Sequence, residues 1–189
     1  MTKDEFFSLE RQLIDGGHDA DLDSFQTIKE RLKSKSPLDA DEFARQAIYV
    51  VLAGGFSQKT AKRVHAEIMR HLPASADELF SIFHNKNKTN AIVKLWNNRR
   101  TYRDDYYELS SLDDRLKYIA SLPHIGKITA NHLARNLGEN VFKRDVWIER
   151  LLAKYGEDLL ERLERETALP RGYVDVVLWK SCQIGLIKL

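Results

Sequence analysis

Apolar residues recur every three or four positions along most of this chain, the spacing that lines one face of an α-helix. DEFARQAIYVVLAG (41–54) is apolar at 43, 44, 47, 48, 50, 51 and 52. That is apolar nearly all round, so a helix sunk in a core is expected there, stopped by Gly54-Gly55. SQKTAKRVHAEIMRHL (57–72) opens on Ser57, a good N-cap, and stops before Pro73. In SADELFSIF (75–83), Ser75 and Glu78 have the spacing of a capping box. TNAIVKLWNNRRTYRDDYYELSS (89–111) reads as one long amphipathic helix, and LDDRLKYIASL (112–122) as another that runs into Pro123. Further on come KITANHLARNLG (127–138), RDVWIERLLAKYG (144–156), EDLLERLERET (157–167) and RGYVDVVLWKSCQIG (171–185). No stretch sustains the two-residue alternation of a strand. The expectation is an all-α protein of about ten or eleven helices, without internal repeats, low-complexity tracts or a long linker.

Composition narrows the class. The chain has 189 residues, 43% hydrophobic and 31% charged, ordinary for a globular protein with a real core. No apolar run approaches the roughly 18–20 residues of a membrane span, so no membrane partner is expected. The start, MTKDEFFSLERQLIDGG, has acids where a secretory leader would be basic and then apolar. An intracellular place, cytoplasm or nucleoid, is therefore expected. The single cysteine, Cys182, excludes an internal disulfide and any multi-cysteine zinc or iron–sulfur site.

Net charge is only +2, but it is unevenly spread. Residues 1–53 carry 7 Lys/Arg and 11 Asp/Glu, a net −4; residues 54–103 carry 10 and 3, a net +7; the remainder carries 13 and 14, a net −1. A basic block within a near-neutral chain suits a face that meets a polyanion, and equally a solvated helix face.

LPHIGKITANHL (122–133) raises the chemical question. Two helical runs are separated by about four residues. Pro123 blocks continuation of the first. Gly126 offers a backbone conformation closed to other residues and lets a phosphate approach closely. The helix from Lys127 then turns its open N–H groups and positive dipole end outward, an anion site to which Lys127 adds charge. A tight turn without a ligand is the plainer alternative. Close behind, VFKRDVWIERL (141–151) places Asp145 among apolar and basic residues, one turn ahead of Glu149. An aspartate there is a good N-cap for the helix that follows. Lys143 and Arg144 beside it would favour its charged form.

Together these two segments resemble the helix-hairpin-helix DNA glycosylases of the endonuclease III superfamily. LPHIGKITANHLARNLG is similar to that family's hairpin, and VFKRDVWIERL to the segment in which an aspartate opens a helix 19 residues after the glycine. AIYVVLAGGFSQKTAKRV (47–64) is similar to the helix–loop–helix that inserts side chains into DNA. The likeness runs from about residue 40 to the end of the sequence. AGGFSQKTA and HLARNLG look closest to the small archaeal-type 8-oxoguanine DNA glycosylases.

The resemblance implies two α-helical lobes with a central cleft. One lobe spans 40–139 and includes the helix-hairpin-helix (117–138); the other joins 1–39 to 140–189 and carries the catalytic aspartate. It implies a monomer that binds double-stranded DNA, flips a damaged or modified base and hydrolyses its N-glycosidic bond, with Asp145 as the catalytic carboxylate. No cofactor is implied, except a structural Na or K ion on the main-chain carbonyls of Ala120, Leu122 and Ile125. The amides of Gly126 and Ile128 would hold a phosphate. Gln58 and Phe56 would enter the DNA. His124, Lys127, Lys59, Lys62 and Arg63 would contact it, with Arg99, Arg100 and Arg103 as further phosphate contacts. Trp179, Asp175 and Trp147 would form the base pocket; the last stands where many relatives have histidine, and packing in a core is its other reading.

One departure bears on the chemistry. Family members that also nick DNA carry a Schiff-base lysine two residues after the hairpin glycine; here that residue is Ile128. Lys127 is about 100° away around the helix. The expectation is a monofunctional glycosylase using Asp145 and water. A bifunctional enzyme using Lys127 and an inactive DNA-binding relative are the alternatives.

Overall fold

The computed structural model describes residues 1–189 as twelve α-helices. There is no strand, only an isolated bridge between Ala20 and Ser24. They are α1 (Lys3–Asp15), α2 (Phe25–Ser34), α3 (Ala40–Ala53), α4 (Gln58–His71), α5 (Ala76–Ile82), α6 (Lys86–Asn97), α7 (Arg99–Glu108), α8 (Leu112–Ser121), α9 (Lys127–Asn136), α10 (Val146–Tyr155), α11 (Leu159–Thr167) and α12 (Arg171–Gln183). Local capping sets many of these starts. Ser57 accepts the Thr60 amide, and Ser75 and Glu78 form the expected capping box. Thr2 with Glu5 forms another at α1.

One expected helix is two. Residues 89–111 break at Asn98, whose backbone leaves helical geometry (φ −103°, ψ 16°). The Asn98 amide and side chain both donate to the Lys94 carbonyl, and Arg99 donates to that of Trp96 at 2.8 Å. Side chains thus satisfy carbonyls that a continuing helix would have used.

The chain divides into two compact units, 36–137 and a unit made of 1–35 with 138–189. In the first, α3 is the central element, packed against α4, α6, α7 and α9. Its apolar circumference is buried as its pattern demands: Phe43, Ala44, Ala47, Ile48, Tyr49, Val50, Val51 and Leu52 all lie inside. Tyr49 meets the rings of His65 and His132 edge-on, with centroids 5.7 and 5.9 Å away. A buried polar link seats α9 on α3: Asn136 Nδ2 donates to Gln46 Oε1 at 3.0 Å, and Gln46 donates to Glu42 at 2.8 Å.

In the second unit α12 is central, touching α1, α2, α10 and α11. Residues 172–178 are all buried. Its core joins Phe6, Leu13, Phe25, Ile28 and Leu32 to Ile148, Leu151, Leu159, Leu163, Val174 and Val177. Gly138 opens the return into this unit at φ +102°, where an added Cβ would sit 3.2 Å from the Arg31 carbonyl oxygen. Both facts require glycine there. No helix is long and apolar enough to cross a membrane.

Candidate active site

The hairpin lies in the 36–137 unit. Leu122 caps the end of α8 and Ile125 follows three residues later; both side chains are buried, and the Ile125 amide donates to the Leu122 carbonyl at 3.1 Å. This pins the turn and leaves His124, Gly126, Lys127 and Ile128 on the surface. Gly126 is not in the left-handed region. Its φ is −106° and ψ 178°, extended backbone open to any residue. The residue with positive φ is His124, at +63°, a strained choice for a non-glycine. An added Cβ would meet nothing within 4 Å, so neither the backbone conformation nor packing within the chain demands glycine at 126.

The expected pair of phosphate amides is also revised. The Gly126 N–H donates to Thr129 Oγ1 at 2.8 Å, and that hydroxyl lies 3.0 Å from the Gly126 carbonyl oxygen. The Gly126 amide is therefore engaged inside the hairpin. Amides of Lys127, Ile128 and Thr129 occupy the first turn, where no carbonyl lies four residues behind within the helix and the glycine cap has no side chain to offer. Of the two amides expected to hold a phosphate, that of Ile128 lies in this open first turn and that of Gly126 does not. Thr129 stands at the third helical position, where a capping-box side chain reaches back to the N-cap amide, but a glycine cap hides that signature in the sequence.

The DNA-entry loop of the sequence reading lies in the same unit. Phe56 is 38% exposed, its ring edge-on to Phe83 at 5.4 Å. Lys88 lies 5.0 Å from the same ring and donates to the Gly54 carbonyl. Lys88 is buried, which pushes its amine below the usual lysine value. A lysine in the first turn of an amphipathic helix gave no sign in sequence that it would underpin this loop. Gln58, at the first position of α4, is half-buried, and Lys59 and Arg63 are exposed with Lys62 between. Arg99 and Arg103 are spent within the unit and do not stand ready for phosphate. Arg99 pairs with Asp41 and lies over the Trp96 ring; Arg103 donates to the Leu38 carbonyl at 2.9 Å and pairs with Asp104 at 2.8 Å. Arg100 remains exposed.

Asp145 lies in the other unit, as the N-cap of α10. Its Oδ1 accepts the amides of Trp147 at 3.0 Å and Ile148 at 3.3 Å. Its Oδ2 faces the Lys143 Nζ at 3.1 Å. The side chain is 14% exposed and that of Lys143 23%. The capping reading thus holds as geometry, and it fixes the carboxylate with one oxygen turned away from the helix. Arg144 does not assist: it pairs with Glu149 and Glu157, at 2.9 Å to the latter. That pairing raises Arg144 further above its usual value and lowers Glu149.

Asp175 is buried at 1% exposure, and its Oδ2 accepts the Lys143 amide at 3.2 Å. The expected base-edge reader is therefore a brace for the Lys143–Asp145 turn. Asp175→Ala should cost about 1.5–3 kcal/mol, the penalty for stranding a buried amide whose partner was charged. A urea midpoint shift measures it, and Asp175→Asn, which keeps an acceptor oxygen, should lose less. Trp147 and Trp179 both pack partly against the unit's core, with Arg150 and Lys180 over their respective rings at 5.7 and 5.8 Å. Each is a core-edge aromatic with part of its surface outside. Cys182 is buried in α12; burial, then the Asp145 charge, pushes its thiol up to about 12, so it is no nucleophile near neutral pH.

No model of a known protein family matches the sequence, and no curated protein does. Two solved structures do, both from Methanocaldococcus jannaschii. One is 8-oxoguanine glycosylase/lyase in complex with a 15mer DNA containing 8-oxoguanine, at TM-score 0.74 and 17% identity, covering 98% of this chain and 99% of that one. The other is 8-oxoguanine DNA glycosylase, at TM-score 0.73 and 18% identity, covering 97% and 94%. With likeness running along nearly the whole of both chains, the protein has the all-α fold of these glycosylases.

Proposed function

We propose that this protein is a DNA N-glycosylase of base excision repair that hydrolyses the N-glycosidic bond of a damaged or modified base in duplex DNA. The observation that carries the proposal is the carboxylate of Asp145. Two helix amides fix one oxygen, and the other is held partly covered beside a single amine. Breaking an N-glycosidic bond develops positive charge on the sugar. A carboxylate held in place stabilises that charge and accepts a proton from the attacking water. The water oxygen bonds to C1′ as the bond to the base breaks, and the electron pair leaves with the base nitrogen. Ile128 offers no amine at the hairpin position, so base release is by water and the enzyme is monofunctional in that step.

The hairpin's role is grip. The amides of Ile128 and Thr129 hold a phosphate, with Lys127 and the exposed Lys59, Arg63 and Arg100 adding charge. The carbonyls of Ala120, Leu122 and Ile125 would hold an alkali ion. Those at the end of α8 lie past the reach of the helix's own donors and at its negative pole, which suits a cation. Such an ion would supply positive charge toward the phosphate. The protein acts as a monomer, without an iron–sulfur cluster.

Fold shared with 8-oxoguanine glycosylases makes oxidised guanine the first substrate to test; alkylated purines come next, because hydrolytic release needs no hairpin lysine. Duplexes bearing single lesions, scored for base release and for strand breaks before and after alkali, provide the test. Release revealed only by alkali is the expected result. Strand breaks without alkali in step with base release would overturn the hydrolytic reading, and no release from any lesion despite DNA binding would overturn the enzymatic one.

A further inference from the structure

We propose that Lys88 is a positioning residue for drawing the base out of the duplex: it seats the Gly54–Phe56 loop so that the Phe56 ring meets the DNA stack. The inference rests on the reading of the protein as a DNA glycosylase, which must unstack its base before it can act. An apolar side chain that enters the opened step offsets part of that cost. Phe56 suits the task. It is 38% exposed on a short loop, and the exposed Lys59 and Arg63 follow it within two turns. The loop has little hold of its own. Gly55 stands at φ +91° with open space where a side chain would be, and the Phe56 amide donates to the Ala53 carbonyl at a long 3.4 Å. The hold comes from α6. Lys88 Nζ donates to the Gly54 carbonyl and lies 5.0 Å from the Phe56 ring centroid.

The fold by itself has little use for an amine there. Lys88 is 7% exposed and pairs with no carboxylate; one carbonyl and one ring are its side chain's partners. It also stands in the first turn of α6, where the helix dipole disfavours a cation. A methionine of about the same length would fill the space with no charge to desolvate, and replacements of that kind are often neutral or stabilising. What the amine does that a methionine would not is grip the loop. The carbonyl it holds closes α3, and the ring it faces is the one the loop exposes. Stability and DNA distortion should therefore move in opposite directions when the amine is removed.

The test is a double-substitution cycle on the full chain. Its probe is a duplex with 2-aminopurine beside a tetrahydrofuran abasic-site analogue. 2-Aminopurine brightens as it loses stacking, and the analogue frees the readout from catalysis and from the choice of lesion. The unaltered protein at saturation should brighten the probe. Lys88→Met should lose most of that rise, while its urea midpoint stays level or increases. Its base release from a lesion duplex, at saturating protein, should slow by about 5–150-fold, the range of one lost stacking contact. Phe56→Ala should lose the rise as well, and Lys88→Met added to it should change nothing further. If the methionine variant does not fold, Lys88→Gln, which keeps an N–H for the Gly54 carbonyl, takes its place and should retain only part of the rise. The proposal is overturned by an unchanged rise in the single variants, by losses that add in the double variant, by a urea midpoint that falls in step with the signal, or by no rise when the unaltered protein is bound. None of these touches the glycosylase reading. A bound and brightened probe with no base release from any lesion overturns that reading instead, and the cycle then decides the role of Lys88 on its own. Failure to bind the duplex at all overturns both.

Discussion

Asp145→Asn should slow base release by about 10²–10⁴-fold, the range set by loss of a positioned general base, and leave the fold unaltered. The reason lies in the division of labour between the two carboxylate oxygens. Oδ1 caps α10 through Trp147 and Ile148, and an asparagine carbonyl oxygen does this as well as a carboxylate. What is lost is the negative charge at Oδ2 and its ability to take a proton from water. Affinity for duplex DNA at a fixed salt concentration should be little changed, because it comes from phosphate contacts made elsewhere. Single-turnover base release, set beside a gel-shift titration, measures the two effects separately. Asp145→Ala should lose the same activity and also about 1 kcal/mol of stability, because the cap goes with the charge. Equal base release by Asp145→Asn and the unaltered protein would remove Asp145 from the chemistry.

The second large effect is on stability. Phe43→Ala should destabilise the 36–137 unit by about 3–5 kcal/mol, combining lost apolar burial with an unfilled cavity. Phe43 is 1% exposed on α3 and packs against the fully buried Tyr106, with ring centroids 5.8 Å apart. Tyr106 in turn meets Tyr107 at 4.9 Å and lies under the Arg115 guanidinium at 5.5 Å. Removing one ring from this stack leaves atoms that cannot collapse inward without moving α3, on which α4, α6, α7 and α9 all rest. A total stability of about 5–15 kcal/mol makes such a loss a large fraction of the whole. Urea unfolding followed by tyrosine and tryptophan fluorescence checks it. A midpoint within error of the unaltered protein's would mean that α3 is not the keystone of its unit.

Much of the fold was legible because it is local. Ser57 capping Thr60 and Ser75 paired with Glu78 act across a single turn, so the letters alone place those helix starts. The all-round apolar run of α3 left no room for a solvent face along it, and residues 46–52 are all buried. The break at Asn98 was harder to see. An amphipathic period carried across Asn97-Asn98 outweighed a run of poor helix formers whose side chains then took over the backbone's acceptors. At the hairpin, the turn itself was legible, but not which residue bears the positive φ, because Gly126 looked the natural candidate and His124 has it.

The sequence by itself determined the helical class, the tight reversal between α8 and α9, and the presence of an acid at the N-cap of α10. Tertiary structure alone decided which charges are available for chemistry. Arg99 meets Asp41 across 58 positions, Arg103 meets the Leu38 carbonyl across 65, and Asp175 meets the Lys143 amide across 32. A side chain's spacing along its own helix says which face it occupies, but not which partner another helix brings to that face. The partners found there decide where a charge points and how much of it stays exposed. The letters therefore supplied the cast of ionisable residues, and packing removed Arg99, Arg103, Arg144 and Asp175 from it while setting Lys143 against Asp145.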